Sequence, residues 1–236
     1  AVGVHDYERV EKLLGRKVDV LVIDTAHADS KPVLETLREI KRNYPTLDIV
    51  VGNISHQDSA RRLIEAGADG IKVGQGPGSI CTTRIVAGIG CPQVTAVYRC
   101  SKVADEYDIP VCADGGIRHE GDIAVAIGAG AHSVMVGNIL AATDETPGKI
   151  IVREGKPVKV YRGMGSLAAM QEHAASRERY RTGKSMMIAE GIETFKEPRG
   201  SVMQHLMVNI EGLRSGLGYV GAASELDLRG RCEIDR

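Results

Sequence analysis

The chain contains no tryptophan, a single phenylalanine (Phe195) and seven tyrosines among its 236 residues. Aromatic rings can therefore fill little of its interior. The hydrophobic residues, 43% of the total, must instead build a core from Val, Ile, Leu and Ala. Such a core is typical of parallel sheets that are buried on both faces.

The chain also lacks an excess of one charge and a long apolar run. Thirty basic and 31 acidic residues give a formal net charge of −1, so we expect neither nucleic acid nor a membrane surface as a partner. No apolar run approaches the roughly 20 residues that span a bilayer, and no signal peptide is evident. The five cysteines are odd in number and show no CxxC spacing, which favours a reduced, cytoplasmic protein.

Short β-branched runs recur along the first part of the chain, and each one closes on a polar residue or glycine. Amphipathic stretches lie between them, and in 30–44 the residues Val33, Leu37 and Ile40 fall on one helical face. Strands that alternate with helices of this length indicate parallel βα units. The predicted strands are 18–27, 47–53, 70–76, 109–116 and 132–138, and further helices are predicted in 55–68 and 120–131.

An internal repeat supports this architecture. "AGADGIKVG" (66–74) and "AGAHSVMVG" (129–137) match at an offset of 63 residues, which covers two βα units. Every predicted strand ends on a residue of the kind found at functional sites. In an open doubly wound sheet such residues would instead be concentrated at the one point where the strand order reverses. We therefore predict an α/β fold of the (β/α)8 TIM-barrel class, truncated at the N-terminus so that strands 4–8 and a stub at 1–3 are present.

The alternation stops after Asn138. Residues 149–161 are predicted to form a hairpin that turns at 154–156, and the polar stretch 165–200 is typical of a lid or of a disordered segment. A last helix is predicted in 201–222, ended by Gly216 and Gly218. We treat 1–236 as one partial barrel domain in which the hairpin and flap occupy 149–200.

Glycine-rich loops follow the last two predicted strands. Gly115, Gly116 and Gly137 could let the backbone approach a phosphate, as the corresponding loops of barrels often do. Asp114, at a strand end, could accept hydrogen bonds from a ribose diol. The alternative is that these glycines only permit tight turns.

Cys81 lies on another glycine-rich loop, "GPGSICTTR" (76–84). Its place after a predicted strand, among the hydroxyls of Ser79, Thr82 and Thr83, suits an activated nucleophile. The alternative is an inert, buried thiol, which fits the other four cysteines better. The seven histidines show no HExxH or paired Cys/His spacing, so a zinc site is not expected. "SRERYR" (176–181) by itself is typical of a solvated, charged lid.

Three segments together carry a resemblance: "IKVGQGPGSICTTRIVAGIGCPQVTAV" (71–97), "ADGGIRHEGDIAVAIGAGAHSVMVGNILA" (113–141) and "VYRGMGSLAAM" (160–170). The chain resembles the catalytic domain of the IMP dehydrogenase and GMP reductase family over nearly its whole length. The resemblance implies a (β/α)8 barrel and NAD-dependent oxidation of IMP to XMP. No regulatory CBS pair is recognised in these residues.

The resemblance also implies a mechanism. Cys81 would attack C2 of the hypoxanthine, hydride would leave to NAD+, and water would hydrolyse the covalent thioimidate. Arg179 and Tyr180 match a mobile flap pair in which the arginine is the general base, and Thr83 would help to orient the water. For 176–181, the resemblance therefore replaces the solvated-lid interpretation.

The resemblance further implies binding residues. Asp24, with Asn53, would face the cofactor, and the carbonyls of Gly76, Gly78 and Cys81 would bind potassium, completed by a neighbouring subunit of a homotetramer. The predicted substrate ligands are Ser79, Gly116, Gly137 and Tyr161 for the phosphate, Asp114 for the ribose, and Met164, Gly165 and Glu190 for the purine, with Gly115, Asn138 and Gly163 completing the set.

Several positions depart from the family pattern. Ala28 and Asp29 alter the usual "TAHGHS", "ERYR" replaces "DRYF", Asn138 replaces a serine, and 191–200 diverges from the "GIEGRV" pattern. Two alternatives therefore stay open: a GMP reductase, which reduces GMP to IMP with NADPH, and a nucleotide-binding paralogue or fragment without full activity. The "VYRGMGS" stretch favours the dehydrogenase.

Overall fold

The computed structural model describes residues 1–180 and 188–231. Five parallel strands form one sheet in the order β1-β2-β3-β4-β5, as the sequence predicts. The stub at the N-terminus joins its edge through a parallel bridge between Val2 and Ile23. The strands are β1 (Val20–Asp24), β2 (Asp48–Ile54), β3 (Gly70–Val73), β4 (Val111–Asp114) and β5 (Ser133–Met135).

Helices follow the strands and cover the sheet. Helix α2 buries Val33, Leu37 and Ile40, the predicted face, and these residues join the strand residues in one aliphatic core. Among the described residues, no helix is long and apolar enough to span a membrane. The helices of this part are α1 (Tyr7–Leu14), α2 (Lys31–Asn43), α3 (Gln57–Glu65), α4 (Thr83–Val86), α5 (Gln93–Asp105) and α6 (Gly121–Gly128).

The internal repeat has a structural basis. Helices α3 and α6 end at Ala66 and Ala129, and the next residues, Gly67 and Gly130, have positive φ angles of 106° and 116°. L-residues rarely adopt this conformation. Both copies of the repeat thus turn from helix to strand through the same glycine-dependent step.

A second sheet of three antiparallel strands follows: β6 (Ile150–Arg153), β7 (Lys156–Arg162) and β8 (Glu193–Lys196). The predicted hairpin is confirmed, with its turn at Glu154 and Gly155. The prediction that 165–200 is a lid or a disordered segment is wrong for β8, whose Phe195 pairs with Val160 of β7. The predicted flap extends into 181–187, which lies outside the described residues.

Four helices complete the fold: α7 (Leu167–Glu172), α8 (Ala174–Arg179), α9 (Val202–Val220) and α10 (Glu225–Arg231). The prediction that Gly216 and Gly218 end α9 is wrong, since the helix continues to Gly221, whose φ of 65° is left-handed. Gly216 lies inside the helix because it packs closely on α6. A Cβ there would lie 2.9 Å from the side chain of Ala124.

Candidate active site

A charged network occupies the carboxyl ends of the central strands. Lys72 of β3 is 2% exposed, and its ammonium lies 3.1 Å from Asp24 Oδ1 of β1. It also contacts Asp114 Oδ2 of β4 and Asn53 Oδ1 of β2. A buried ammonium is tolerated when charged and polar partners surround it in this way. The network therefore ties the ends of four strands to one cation.

Asn53 completes the network from the other side. Its Nδ2 donates to Gly74 O at 2.7 Å and to Asp114 Oδ2 at 3.0 Å. The predicted ribose ligand and the predicted cofactor ligand are therefore hydrogen-bonded to each other. Both bonds that Asp114 accepts in this network fall on its Oδ2.

Sequence reasoning missed Lys72. A signal was available, because lysine is almost never fully buried without a partner and here it interrupts the apolar run "GIKVG". A lysine in the middle of a four-residue buried strand indicates that acidic residues end the neighbouring strands. Asp24 and Asp114 do so.

Arg179 of α8 reaches the same network. Its Nη1 contacts Asp24 Oδ2, and its side chain is 16% exposed. Burial alone would raise the pKa of Asp24, but the hydrogen bond from Arg179 and the charges of Lys72 and Arg179 hold that pKa below its ordinary value. Asp24 is therefore an ionised carboxylate between two cations. The structure thus brings the predicted flap arginine to the predicted cofactor residue.

The cysteine loop is fixed mainly by its backbone. Cys81 N donates to Gly78 O at 3.1 Å, and the thiol of Cys81 donates to Thr83 Oγ1 at 3.2 Å. The loop also pairs with the segment that precedes β8: Thr82 N donates to Glu190 O at 2.9 Å, and Ile192 N donates to Ile80 O at 3.0 Å. Cys81 remains half-buried, so its sulfur is accessible but held.

A cavity of about 240 Å³ opens between this loop and the charged network. It brings together all of the residues predicted for catalysis, for the purine and for the cation: Gly76, Gly78, Cys81, Thr83, Met164, Gly165, Arg179, Tyr180 and Glu190. The substrate candidates Asp114, Gly115 and Gly163 and the cofactor candidate Asn53 also line it. Asp24 instead lines an adjacent open space of about 780 Å³, shared with Met164 and Arg179.

Tyr180 lines the cavity. A Cβ on Gly165 would lie 2.7 Å from its ring, so the ring requires glycine at this position. Glu190 N donates to Gly165 O at 3.0 Å, which holds the purine candidates side by side. Burial raises the pKa of Tyr180, and the nearby Cys81 and Glu190 act in the same direction, so its hydroxyl is a neutral donor.

The predicted phosphate ligands Ser79, Gly116, Gly137, Asn138 and Tyr161 do not line this cavity. Two of them are close to each other: a Cβ on Gly137 would lie 3.3 Å from the Tyr161 hydroxyl. Gly116 lies beside Pro77 of the cysteine loop. Gly137 and Tyr161 thus lie together on the side of β5 and β7, whereas Ser79 and Gly116 lie on or beside the cysteine loop, next to residues that line the cavity.

Two of the other described cysteines, Cys100 and Cys112, have thiols that burial keeps protonated. Burial raises the pKa of the Cys100 thiol to about 12, and burial also raises the pKa of Cys112. These thiols stay protonated near neutral pH. Across 1–180 and 188–231, no cluster of three or more His, Cys, Asp and Glu side chains forms a metal site.

The comparisons with known proteins agree with this geometry. The IMP dehydrogenase / GMP reductase domain family matches residues 1–236. The chain is 49% identical over 235 residues to the inosine-5'-monophosphate dehydrogenase of Aquifex aeolicus (strain VF5), covering 99% of this chain and 48% of that protein. The inosine-5'-monophosphate dehydrogenase of Bacillus subtilis (strain 168) is 47% identical over 239 residues, with coverage of 100% and 49%.

A solved structure is also similar. A GMP reductase variant from Trypanosoma brucei, in complex with guanosine 5'-monophosphate, superposes with a TM-score of 0.89 and 44% identity over 98% of this chain and 48% of that one. The chain therefore spans about half the length of the relatives that it matches. The family model covers the whole sequence, and these relatives match nearly all of it, so the chain belongs to the IMP dehydrogenase / GMP reductase family.

Proposed function

We propose that this chain is the part of an NAD-dependent IMP dehydrogenase that carries its catalytic cysteine. The observation that carries the proposal is the position of Cys81, half-buried on a backbone-fixed loop and facing Gly163–Gly165 and Arg179 across one cavity. Family membership and the names of the relatives at 47–49% identity support the same reaction.

Cys81 is the proposed nucleophile. Its sulfur, as the thiolate, would add to C2 of the hypoxanthine, and the hydrogen on C2 would leave as hydride to NAD+, so that a thioimidate would link the base to the enzyme. Water then adds to C2, the bond to sulfur breaks, and XMP forms. Met164, Gly165 and Glu190 border the cavity where the purine would lie, and Thr83, whose Oγ1 already accepts from the thiol, would orient the water.

Arg179 is proposed as the base for the hydrolytic step. Its burial would lower its pKa, but the hydrogen bond and charge of Asp24 raise that pKa above its ordinary value. An arginine in this ion pair is a poor base. We therefore propose that Arg179 must leave Asp24 before it accepts a proton from water.

Asp24 and Asn53 are proposed to hold the cofactor. NAD+ supplies the hydride acceptor when bound, and Asp24 borders the open space of about 780 Å³ next to the cavity. An ionised carboxylate is a suitable acceptor for ribose hydroxyls. Gly78 and Cys81 are joined by a tight turn in which Cys81 N donates to Gly78 O, and Gly76 lies two residues before it. The carbonyls of Gly76, Gly78 and Cys81 are the proposed potassium ligands, since carbonyl oxygens suit this ion.

The phosphate group of IMP is proposed to bind at Ser79, Gly116, Gly137, Asn138 and Tyr161, and its ribose at Asp114 and Gly115. Both network bonds fall on Asp114 Oδ2, which leaves Oδ1 to accept from a ribose hydroxyl. A homotetramer in the cytoplasm, in which a neighbouring subunit completes the potassium site, is the proposed assembly.

A second candidate, GMP reductase, is supported by the Trypanosoma brucei structure at 44% identity. Both reactions place a purine over the same cysteine, so the shape of the cavity does not separate them. The chemistry does: the reductase consumes NADPH and GMP and releases ammonia.

One assay distinguishes these functions. The full-length protein with IMP, NAD+ and potassium should form NADH, whereas Cys81→Ala should bind IMP without forming NADH. NADPH oxidation with GMP, and none of the IMP reaction, would replace the proposal by the reductase. If the protein bound IMP but catalysed neither the dehydrogenase nor the reductase reaction, the alternative of a nucleotide-binding paralogue or fragment would be favoured.

A further inference from the structure

Strand β8 brings a second cation to the group of phosphate candidates. Lys196, the last residue of β8, extends its ammonium to the loop after β5, where it lies 3.3 Å from Asn138 O and also contacts Asn138 Oδ1. The same ammonium lies 5.2 Å from the ring centre of Tyr161. Lys196 therefore touches two predicted phosphate ligands and lies beside a third, Gly137, which approaches the Tyr161 hydroxyl.

The contact with Asn138 fixes the direction of its amide. An asparagine side chain has one acceptor oxygen and one NH2 donor group. Because Lys196 engages the oxygen, Nδ2 is the group left to donate to an anion. Lys196 thus makes Asn138 a hydrogen-bond donor at a position where the family pattern has a serine hydroxyl.

Arg199 adds positive charge to the same loop. Its Nη1 lies 3.3 Å from both Asn138 O and Ile139 O. Glu197, the nearest acidic residue in sequence, pairs instead with Lys156 at 3.6 Å. Within the described parts of the chain, neither Lys196 nor Arg199 forms an ion pair with a carboxylate.

Two cations that share a loop without a carboxylate repel each other. Burial and the charge of Arg199 lower the pKa of Lys196. An anion bound at this loop would reduce the repulsion between Lys196 and Arg199 and would raise the pKa of Lys196, since opposite charge favours the protonated amine. Tyr161 and the backbone at Gly137 supply further donors for such an anion.

We propose that Lys196 is a binding residue for the 5'-phosphate of the nucleotide substrate, both through its own charge and by orienting the Asn138 amide. The proposal rests on the proposed function for the identity of the nucleotide, but not for the phosphate itself. It assigns specificity for a phosphorylated substrate to β8, a strand outside the parallel sheet.

Calorimetric binding to the full-length protein tests the proposal with IMP, inosine and ribose 5-phosphate as probes. Lys196→Met should weaken the binding of IMP and of ribose 5-phosphate by about tenfold, because one charge-assisted hydrogen bond is lost. The affinity for inosine, which has no phosphate, should not change. Lys196→Arg should restore most of the affinity. Lys149→Met, at an exposed position just before β6, is the matched control and should change the affinity for none of the three probes.

Equal weakening of IMP and inosine, or none in either, would overturn the proposal while leaving the proposed function intact. If the protein bound ribose 5-phosphate through Lys196 but did not bind IMP, the result would support the proposal and reject the proposed function. If wild type bound no phosphorylated probe, both would be wrong. Thermal unfolding checks that each variant folds, and Lys196→Gln replaces Lys196→Met should that variant not fold.

Discussion

Lys72 shows how much one residue can organise at this site. Its ammonium is the common partner of Asp24, Asn53 and Asp114, so the residues proposed for the cofactor and for the ribose are positioned by the same cation. The positions of Asp24, Asn53 and Asp114 at strand ends were predictable from the pattern. Their convergence on Lys72 was not, because periodicity says where a side chain lies on its own strand and nothing about the strands beside it.

Substitution of Lys72 should destabilise the fold strongly. Lys72→Met keeps the apolar stem but leaves the partly buried Asp114 without its cation and Asp24 with Arg179 alone. We expect this to cost about 3 kcal/mol of unfolding free energy. Urea denaturation monitored by circular dichroism measures it. The exposed Lys156→Met is the control and should change stability by less than about 0.5 kcal/mol. A loss as small for Lys72→Met would show that Asp24 and Asp114 do not depend on this cation.

The Asp24 carboxylate should give a pH-dependent contribution to stability. Its folded-state pKa is lowered, so its contribution is present above the unfolded value of about 3.9 and is lost as the pH falls through the folded value. The stability difference between wild type and Asp24→Asn should therefore be largest near neutral pH and shrink in acid. The exposed Asp58→Asn is the control, and an Asp24→Asn difference that did not change with pH would contradict the assignment.

At the scale of the secondary-structure element, glycines in similar sequence contexts have different structural roles. Gly216 and Gly221 both lie near the end of an apolar helical pattern, yet one allows close packing on Ala124 and the other ends α9 with a left-handed φ. A stop signal and a packing contact look alike in the sequence, because the difference depends on whether a neighbouring helix is present. Strand β8 was missed for a related reason: its pairing partner β7 is distant in sequence, and its residues are half-exposed.

The two glycines of the internal repeat provide a matched pair. Gly67→Ala must adopt a positive φ but meets only the flexible side chain of Lys41, at 3.3 Å, and should cost about 1–2 kcal/mol. Gly130→Ala has the same strain and also overlaps the buried Ser101 side chain, at 2.0 Å, so about 2–4 kcal/mol is expected. Thermal or urea unfolding of both variants checks the order. A larger loss at Gly67 would mean that strain, rather than overlap, sets the cost.

At the scale of the whole molecule, the parallel sheet has an open edge in the described structure. Strand β5 pairs with β4 on one side and is the last strand of its sheet. Nearby apolar side chains are exposed, including Met135 at 43%, Val125 at 52% and Met207 at 59%. Unpaired edges next to apolar surface favour association.

The chain by itself should therefore associate as its concentration rises. Light scattering after size exclusion should show an increasing mass, and Met135→Lys should reduce the association by placing a charge on the exposed edge. Lys156→Met, far from this edge in the second sheet, should leave the association unchanged. A monomer at every concentration, with cooperative unfolding, would show that the β5 edge is protected.

The fold was predictable to the extent that local patterns determine it. The five parallel strands, the stub and the hairpin follow from alternation and turn residues, and Cys81 follows from its loop. The grouping of the site does not: the sequence assigned ligands to the phosphate, the ribose and the purine, but it did not show that Asn138 and Tyr161 lie outside the cavity and next to Lys196 of β8. Long-range pairing decides that separation.

The backbone pairing between the cysteine loop and the segment before β8 has a further consequence. Thr82 and Ile192 donate main-chain hydrogen bonds, and the side chains of this seam take no part in them. The side chains at Glu190 and Ile192 are therefore free to vary without breaking these bonds, so these two positions could diversify to accept different bases while the nucleophile stays in place. Gly191 between them is not free, because a Cβ there would lie 3.3 Å from Ile80 O of the cysteine loop. Proline at Ile192 would remove the amide hydrogen that binds Ile80 O and would also disturb the loop.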